Sequence, residues 1–281
     1  MLKVSNPMEL ERLTPKQFEL FQKFIYDRAG IKIDFSKVTL VSNRIRRRLK
    51  VGGYEDFDSY YRLLNSKAGG VELESFLDAI TTNETYFFRT PANFEWLRND
   101  YVKELVKDKL EGRRPASLRI WSAACSSGEE PFSIAMCLSD LGVPLRDWQF
   151  HILGTDISES SLKLAREAVY RTRTMQEFDK SHIKRYFSEE AADQYRLRPS
   201  IAQMVRFKNH NLMQRLPEPP FDCIWLRNVL IYFDRESKAK VIENLVHSLV
   251  RGGYLVVGPS EGVYDMLGML HKRGTFLYQK P

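Results

Sequence analysis

The sequence has no run approaching the ~20 apolar residues of a membrane-spanning helix. Cysteine is scarce. Cys125, Cys137 and Cys223 form no CxxC pair, and their odd count argues against a disulfide framework and for a reducing compartment. The opening residues lack the apolar core of a signal peptide, so the expectation is a soluble, intracellular protein. No GxGxxG stretch, internal repeat or low-complexity tract occurs, and no motif calls for a metal. Excess charge is also missing from most of the chain. Residues 1–50 hold 12 Lys and Arg against 5 Asp and Glu, while the other 231 hold 31 of each, so the net +7 sits at one end. A basic end of this kind suits nucleic acid or an acidic protein partner.

What remains is an ordinary globular balance, 43% apolar and 28% charged over 281 residues, enough for a large domain and a small one. Residues 14–82 read as short helices. Thr14 can cap, Pro15 suits the first helical position and Gly30 follows the last turn, with Phe18, Phe21 and Ile25 on one face. Further helices are expected over 36–51, 55–65 and 71–80, and another from Pro91 to about Leu110. The pattern then changes. "LRIWSAA", "QFHILGTDI", "FDCIWLRNVLIYF", "GYLVVG" and "GTFLYQK" have strand length, separated by helical stretches at 129–141, 159–168 and 235–250. This alternation predicts an α/β fold around a mostly parallel sheet. "YRLRPSI" and "MVRFKN" are expected to form a small hairpin or to extend the sheet. The expected domains are 1–82, helical, a linker at 83–95 carrying Arg89, and 96–281, α/β.

Four stretches suggest a ligand. In "IWSAACSSGEEPFSIA" a strand ends in small residues, Ala123 among them, that let backbone approach a flat ligand. Glu129 and Glu130 at the following helix start repel phosphate and suit a cationic or zwitterionic ligand; a tight turn whose acids complement the helix dipole is the competing reading. Asp156, ending the next strand, occupies the place of an acid that binds ribose hydroxyls, although Ser158 offers a plain helix cap there. Asn211-Leu212 can read an adenine edge and face. Arg227-Asn228 puts polar groups at the tip of a buried strand, with Tyr232 within reach. Together these favour an adenosyl ligand without phosphates, S-adenosylmethionine being the common one.

In order along the chain, "ITTNETYFFR", "WSAACSSGEEPFSIA", "GTDIS", "RNVLIYF" and "GYLVVGPSE" resemble CheR-type chemotaxis receptor glutamate O-methyltransferases, over most of the chain. The resemblance implies a Rossmann-like methyltransferase domain behind a small all-helical domain. It implies methyl transfer from S-adenosylmethionine to glutamate side chains of chemotaxis receptors, with S-adenosylhomocysteine as product. The family's ligand contacts fall on Asn83, Thr85, Arg89, Glu130, Asp156, Asn211, Leu212, Arg227 and Asn228. Some family members carry an extended hairpin that tethers a receptor peptide. Residues 188–210 here lack a Gly-rich turn, so no tether is expected.

An ionised glutamate needs no general base, since its reference pKa is about 4.3. It needs positioning at about 3–3.5 Å from the methyl. Arg89, behind Tyr86, Phe87 and Phe88, is the expected carboxylate clamp, with Tyr232 as a second catalytic candidate. Phe87 and Phe88 are expected to exclude water and pack the domains together; plain core is the alternative. In "VSNRIRRRLK" a helix would bury Val41, Ile45 and Leu49 and present Arg44, Arg46, Arg47 and Arg48 for docking Glu-rich receptor helices. A monomer acting in the cytoplasm, with no stable nucleic-acid partner, is expected. The rivals are a nucleic-acid methyltransferase, which lacks here the Asp/Asn-Pro-Pro-Tyr run of DNA amino-methylating enzymes, and a non-catalytic module that senses the donor. A nicotinamide oxidoreductase is disfavoured by the missing glycines and by Glu129-Glu130.

Overall fold

The computed structural model describes residues 12–142 and 145–281. The opening residues, which bear on the signal-peptide expectation, lie outside that range. The chain divides between Thr82 and Asn83 into two compact units, so residues 83–95 belong with the second.

The first unit is helical: α1 Pro15–Ala29, α2 Val38–Gly52, α3 Phe57–Leu64 and α4 Gly70–Ile80. Thr14 and Gln17 form a capping box at α1, and Gly30 ends it in a left-handed turn at φ 71°. Phe18, Phe21, Phe24 and Ile25 meet Val41, Ile45 and Leu49 of α2, Tyr60 of α3 and Phe76 of α4 in one core. The basic helix is built differently from its expected docking face. Arg48 grips Glu72 of α4 with two hydrogen bonds, 2.9 and 2.8 Å, and Tyr60 donates to the same carboxylate at 2.7 Å. Burial pushes the Glu72 carboxyl up, but hydrogen bonds from Arg48 and Tyr60 outweigh it, leaving its pKa below the usual value. Arg44 donates to the Ile80 carbonyl at the end of α4 and to Thr82 Oγ1 at 3.0 Å. Arg46 donates to Asn43. Arg44 and Arg48 therefore hold helices together, because orphan carbonyls and a partly buried carboxylate on α4 attract the nearest guanidinium. Arg47 and Lys50 are the exposed cations of this stretch.

The second unit opens with α5 Pro91–Trp96, a π turn Leu97–Tyr101 and α6 Val102–Leu110, where one unbroken helix was expected. With the π turn between them, Trp96 stacks on Tyr101 at 5.0 Å. The remaining elements are β1 Ser117–Ala123, α7 Glu129–Asp140, β2 Gln149–Asp156, α8 Glu159–Glu167, β3 Val169–Tyr170, α9 Lys180–Tyr186, β4 Phe187–Ala191, β5 Gln194–Leu197, α10 Pro199–Ala202, β6 Val205–Asn209, β7 Phe221–Leu226, α11 Arg235–His247, β8 Leu249–Val257, β9 His271–Lys272 and β10 Leu277–Gln279. The main sheet has the order β6-β2-β1-β7-β8-β10-β9. Its first five strands are parallel, and β10 and β9 are antiparallel additions. Side chains alternate between two cores. Ile120, Cys223, Trp225 and Val256 enter one, and Trp121, Ile224, Leu226, Leu255 and Val257 the other. Burial on both faces explains the adjacent apolar pair Ile120-Trp121 in β1 and the unbroken apolar run 223–226 in β7.

One open reading is settled and two change. "MVRFKN" becomes β6 of the main sheet, while "YRLRPSI" pairs through β5 with β3 and β4 in a separate three-stranded sheet. Its hairpin turns without glycine, because Asp193 takes the left-handed conformation at φ 56° and accepts from Thr172 N at 2.9 Å. The missing Gly-rich turn is therefore no argument against a hairpin. Residues 249–250, expected to end a helix, begin β8, since Leu249 pairs with Phe221. Cys125, Cys137 and Cys223 are free and buried. Among the described residues no helix is long and apolar enough to cross a membrane.

Candidate active site

β1 lies between β2 and β7, so the chain leaves it in opposite directions and the loops beyond these strand ends stand at the topological switch point, where open α/β sheets bind ligands. The β1–α7 loop is strained in alternation. Ala124, Ser126 and Gly128 have φ of 61°, 51° and 92°, a conformation that costs an alanine or serine about 1 kcal/mol or more. Several bonds offset it. Cys125 N donates to Thr155 O at 2.8 Å, Ser126 N to Asp156 Oδ2 at 2.8 Å, and Tyr170 Oη to Ser127 O at 2.7 Å. Small side chains are needed nearby too: a Cβ on Gly154 of β2 would stand 2.8 Å from the Phe207 ring and 3.0 Å from Cys125 Sγ.

Asp156 is buried and also accepts from Ser158 N at 2.9 Å, so it staples the loop after β1 to the loop after β2. The α8 cap is Ser158, whose Oγ accepts from Ser161 N. The same serines receive Asn83: its Nδ2 donates to Ser158 Oγ at 3.2 Å and Ser161 Oγ at 2.7 Å, and its carbonyl accepts from Ser126 Oγ at 3.2 Å. Segment 83–90 is thereby pinned across both loops.

The two acids of α7 differ. Glu129 is buried, and burial pushes its pKa up to about 7 against the pull of a 2.7 Å hydrogen bond from Ser127 Oγ. Glu130 accepts from Ser122 Oγ at 2.8 Å and from Arg227 Nη1 at 2.9 Å. Arg227, its side chain 2% exposed, sends Nη2 to Arg89 O at 2.6 Å and Thr90 Oγ1 at 2.7 Å. It clamps the backbone that carries Arg89, whose neighbours Phe88 and Thr90 have φ of 54° and 65°. Phe88 N is fixed on Ser133 Oγ at 2.9 Å.

Arg89 itself is half-buried. It donates to Glu84 O at 3.0 Å and lies 5.6 Å over the Tyr86 ring, and among the described residues it makes no ion pair. Phe87 and Phe88, expected to join the domains, meet residues of the second unit: Phe87 packs on Tyr170, Phe178 and Phe187, and Phe88 on Phe94 and Phe178. Thr85 lies half-buried in the same segment, Ala123 is buried at the end of β1, and Tyr232, the last residue of the 3-10 turn Leu230–Tyr232, is 37% exposed. Asn211 Oδ1 accepts from Met213 N at 3.0 Å, and buried Leu212 presents its carbonyl to Asn244 Nδ2 at 2.9 Å. His210 N donates to Asp156 O, while burial lowers the imidazole pKa to about 4.

This fold is an α/β domain with carboxyl and amide groups at its strand ends and two acids, in place of phosphate-binding groups, at the start of α7, a set that suits a cationic sulfonium nucleoside better than a pyrophosphate. Residues 83–275 match the family "CheR methyltransferase, SAM binding domain" and residues 16–81 "CheR methyltransferase, all-alpha domain". The chain is 34% identical to the chemotaxis protein methyltransferase of Borreliella burgdorferi, over 89% of each protein. It is 34% identical to chemotaxis protein methyltransferase 2 of Vibrio cholerae, over 96% of this chain and 94% of that one. It is 35% identical to the chemotaxis protein methyltransferase of Escherichia coli, over 95% and 91%. The chain belongs to the CheR methyltransferase family, with an all-α domain before an S-adenosylmethionine-binding α/β domain.

Sequence reading missed Ser158 and Ser161 as anchors of Asn83, Thr90 as a partner of Arg227, and Glu261, which is fully buried beside Asn228. Only Glu261 left a signal, as a carboxylate closing the apolar run "GYLVVGPSE".

Proposed function

We propose that this protein transfers the methyl group of S-adenosylmethionine to glutamate side-chain carboxylates of chemotaxis receptors, acting as a monomeric cytoplasmic protein-glutamate O-methyltransferase. The observation that carries the reading is Arg89: a half-buried guanidinium without a carboxylate partner among the described residues, on a segment tied to both donor-site loops by Asn83 and Arg227. The names of the relatives support the chemotaxis assignment.

When bound, S-adenosylmethionine supplies an electrophilic methyl on a positively charged sulfur. The strained loop, Asp156 and Asn211-Leu212 would hold the nucleoside, and Glu130 would attract the amino-acid end. Arg89 receives the incoming carboxylate and fixes its plane with paired N–H donors. The chemistry the donor would supply is displacement at its methyl carbon, in which the carbon–oxygen bond formed would balance the carbon–sulfur bond broken, giving a methyl ester and a thioether. No proton moves, so the site requires no base. Tyr232, partly exposed, lines the approach, and Arg47 and Lys50 of α2, with Arg46, attract Glu-rich receptor helices more strongly at low salt.

The test is incubation of labelled donor with chemoreceptor membranes, scoring base-labile methanol. The variant R89A is expected to keep donor binding and lose about a hundredfold or more in transfer, the scale of lost transition-state positioning. Full turnover in R89A would remove the clamp, and label appearing in nucleic acid would replace the substrate.

A further inference from the structure

The turn at 227–232 carries three residues proposed for the site, yet its backbone shape is not set by those residues. Asn228 is left-handed at φ 59°, and the N–H groups of residues 228–230 all turn toward one acceptor. Consecutive amides of this kind form a concavity that binds anions. The anion is the chain's own. Glu261, on the turn after β8, is 0% exposed; one carboxylate oxygen accepts from Asn228 N and the other from Leu230 N at 2.8 Å, with the Val229 N–H adding to the field.

The turn after β8 is shaped for this approach. A Cβ on Gly258 would stand 2.7 Å from Glu261 Oε1 and 3.4 Å from Asn228 N, so a side chain there would push the Glu261 carboxylate out of its place between the two turns. From the other side, Lys238 of α11 donates to Glu261 O at 2.7 Å. Burial, the largest influence, raises the Glu261 pKa above the usual carboxylate value, while the three amides and the Arg227 guanidinium pull the other way and favour the anion.

We propose that Glu261 is a positioning residue: its carboxylate fills the amide nest at 228–230 and holds the 227–232 turn in the form that binds the methyl donor. It touches no ligand itself. A glutamine there keeps the shape but turns an N–H2 toward a backbone N–H, and a lost hydrogen bond to a charged group is worth about a tenfold change in affinity or more. The proposal rests on the placement of Arg227 and Asn228 in the donor site.

The experiment measures S-adenosylhomocysteine binding by calorimetry to wild type, E261Q, E261A and G258A, with folding followed by tryptophan fluorescence. Expected are about tenfold or weaker affinity in E261Q and G258A, and partial recovery of E261A by added formate, which a merely structural role would not produce. Affinity within twofold of wild type in E261Q and G258A would overturn the proposal. D156A runs beside them: if it too binds normally, the donor-site reading itself fails, whereas weakened D156A with normal E261Q sinks only the role of Glu261.

Discussion

Replacing Glu129 with glutamine should make the second unit more stable than wild type at pH 8 and leave the two nearly equal at pH 5. The carboxyl is 2% exposed, and burial raises its pKa from 4.5 to about 7, opposed by the Ser127 hydroxyl, its own backbone and Arg173. A folded-state pKa above the unfolded value means that the folded chain holds the proton more tightly. The contribution is fully present below about pH 4.5 and is lost as pH rises through about 7. At 1.36 kcal/mol per pKa unit, the displacement amounts to about 3 kcal/mol. Glutamine keeps an acceptor for Ser127 Oγ and does not titrate, so the gap between the two proteins should shift by about 3 kcal/mol in favour of E129Q from pH 5 to pH 8. The assay is available because all four tryptophans, Trp96, Trp121, Trp148 and Trp225, lie in the second unit. Their fluorescence in urea follows that unit alone. Parallel pH profiles for the two proteins would show that Glu129 carries no proton in the fold near neutrality and would refute the reasoning.

Two other perturbations probe the site and the docking surface. Replacing Arg227 with methionine leaves Glu130 without its buried partner and should cost about 3 kcal/mol or more in the same urea assay, much of which a second change of Glu130 to leucine should restore; strictly additive losses would mean the two residues are uncoupled. Reversing the charge of Arg47 and Lys50 should slow receptor methylation more at low than at high ionic strength, and an equal loss at both would dismiss electrostatic docking.

The strand and helix periods were legible because burial on both faces keeps Ile120-Trp121 of β1 and residues 223–226 of β7 apolar, while α1 and α2 must bury one stripe each. The ligand class was legible for a related reason. Small residues, two acids and Asp156 stand at strand ends, where local chemistry limits what can bind. The arginines of α2 were not: four consecutive-looking cations read as one face, and only the placement of Glu72 and the Ile80 carbonyl separates Arg48 and Arg44 from exposed Arg47. Asp193 likewise supplied a turn without glycine, which composition does not announce.

By itself, then, the sequence determined the α/β order, the helical unit before it, and the chemistry offered at the ends of β1, β2 and β7, because periodicity and strand-end residues are local properties. Tertiary structure alone decided which charges are engaged within the fold. Arg227 holds the backbone of Arg89, and Glu261 fills the nest beside Asn228 from 33 residues away. Such partners are selected by proximity in three dimensions and by the cost of leaving a buried charge or amide without one.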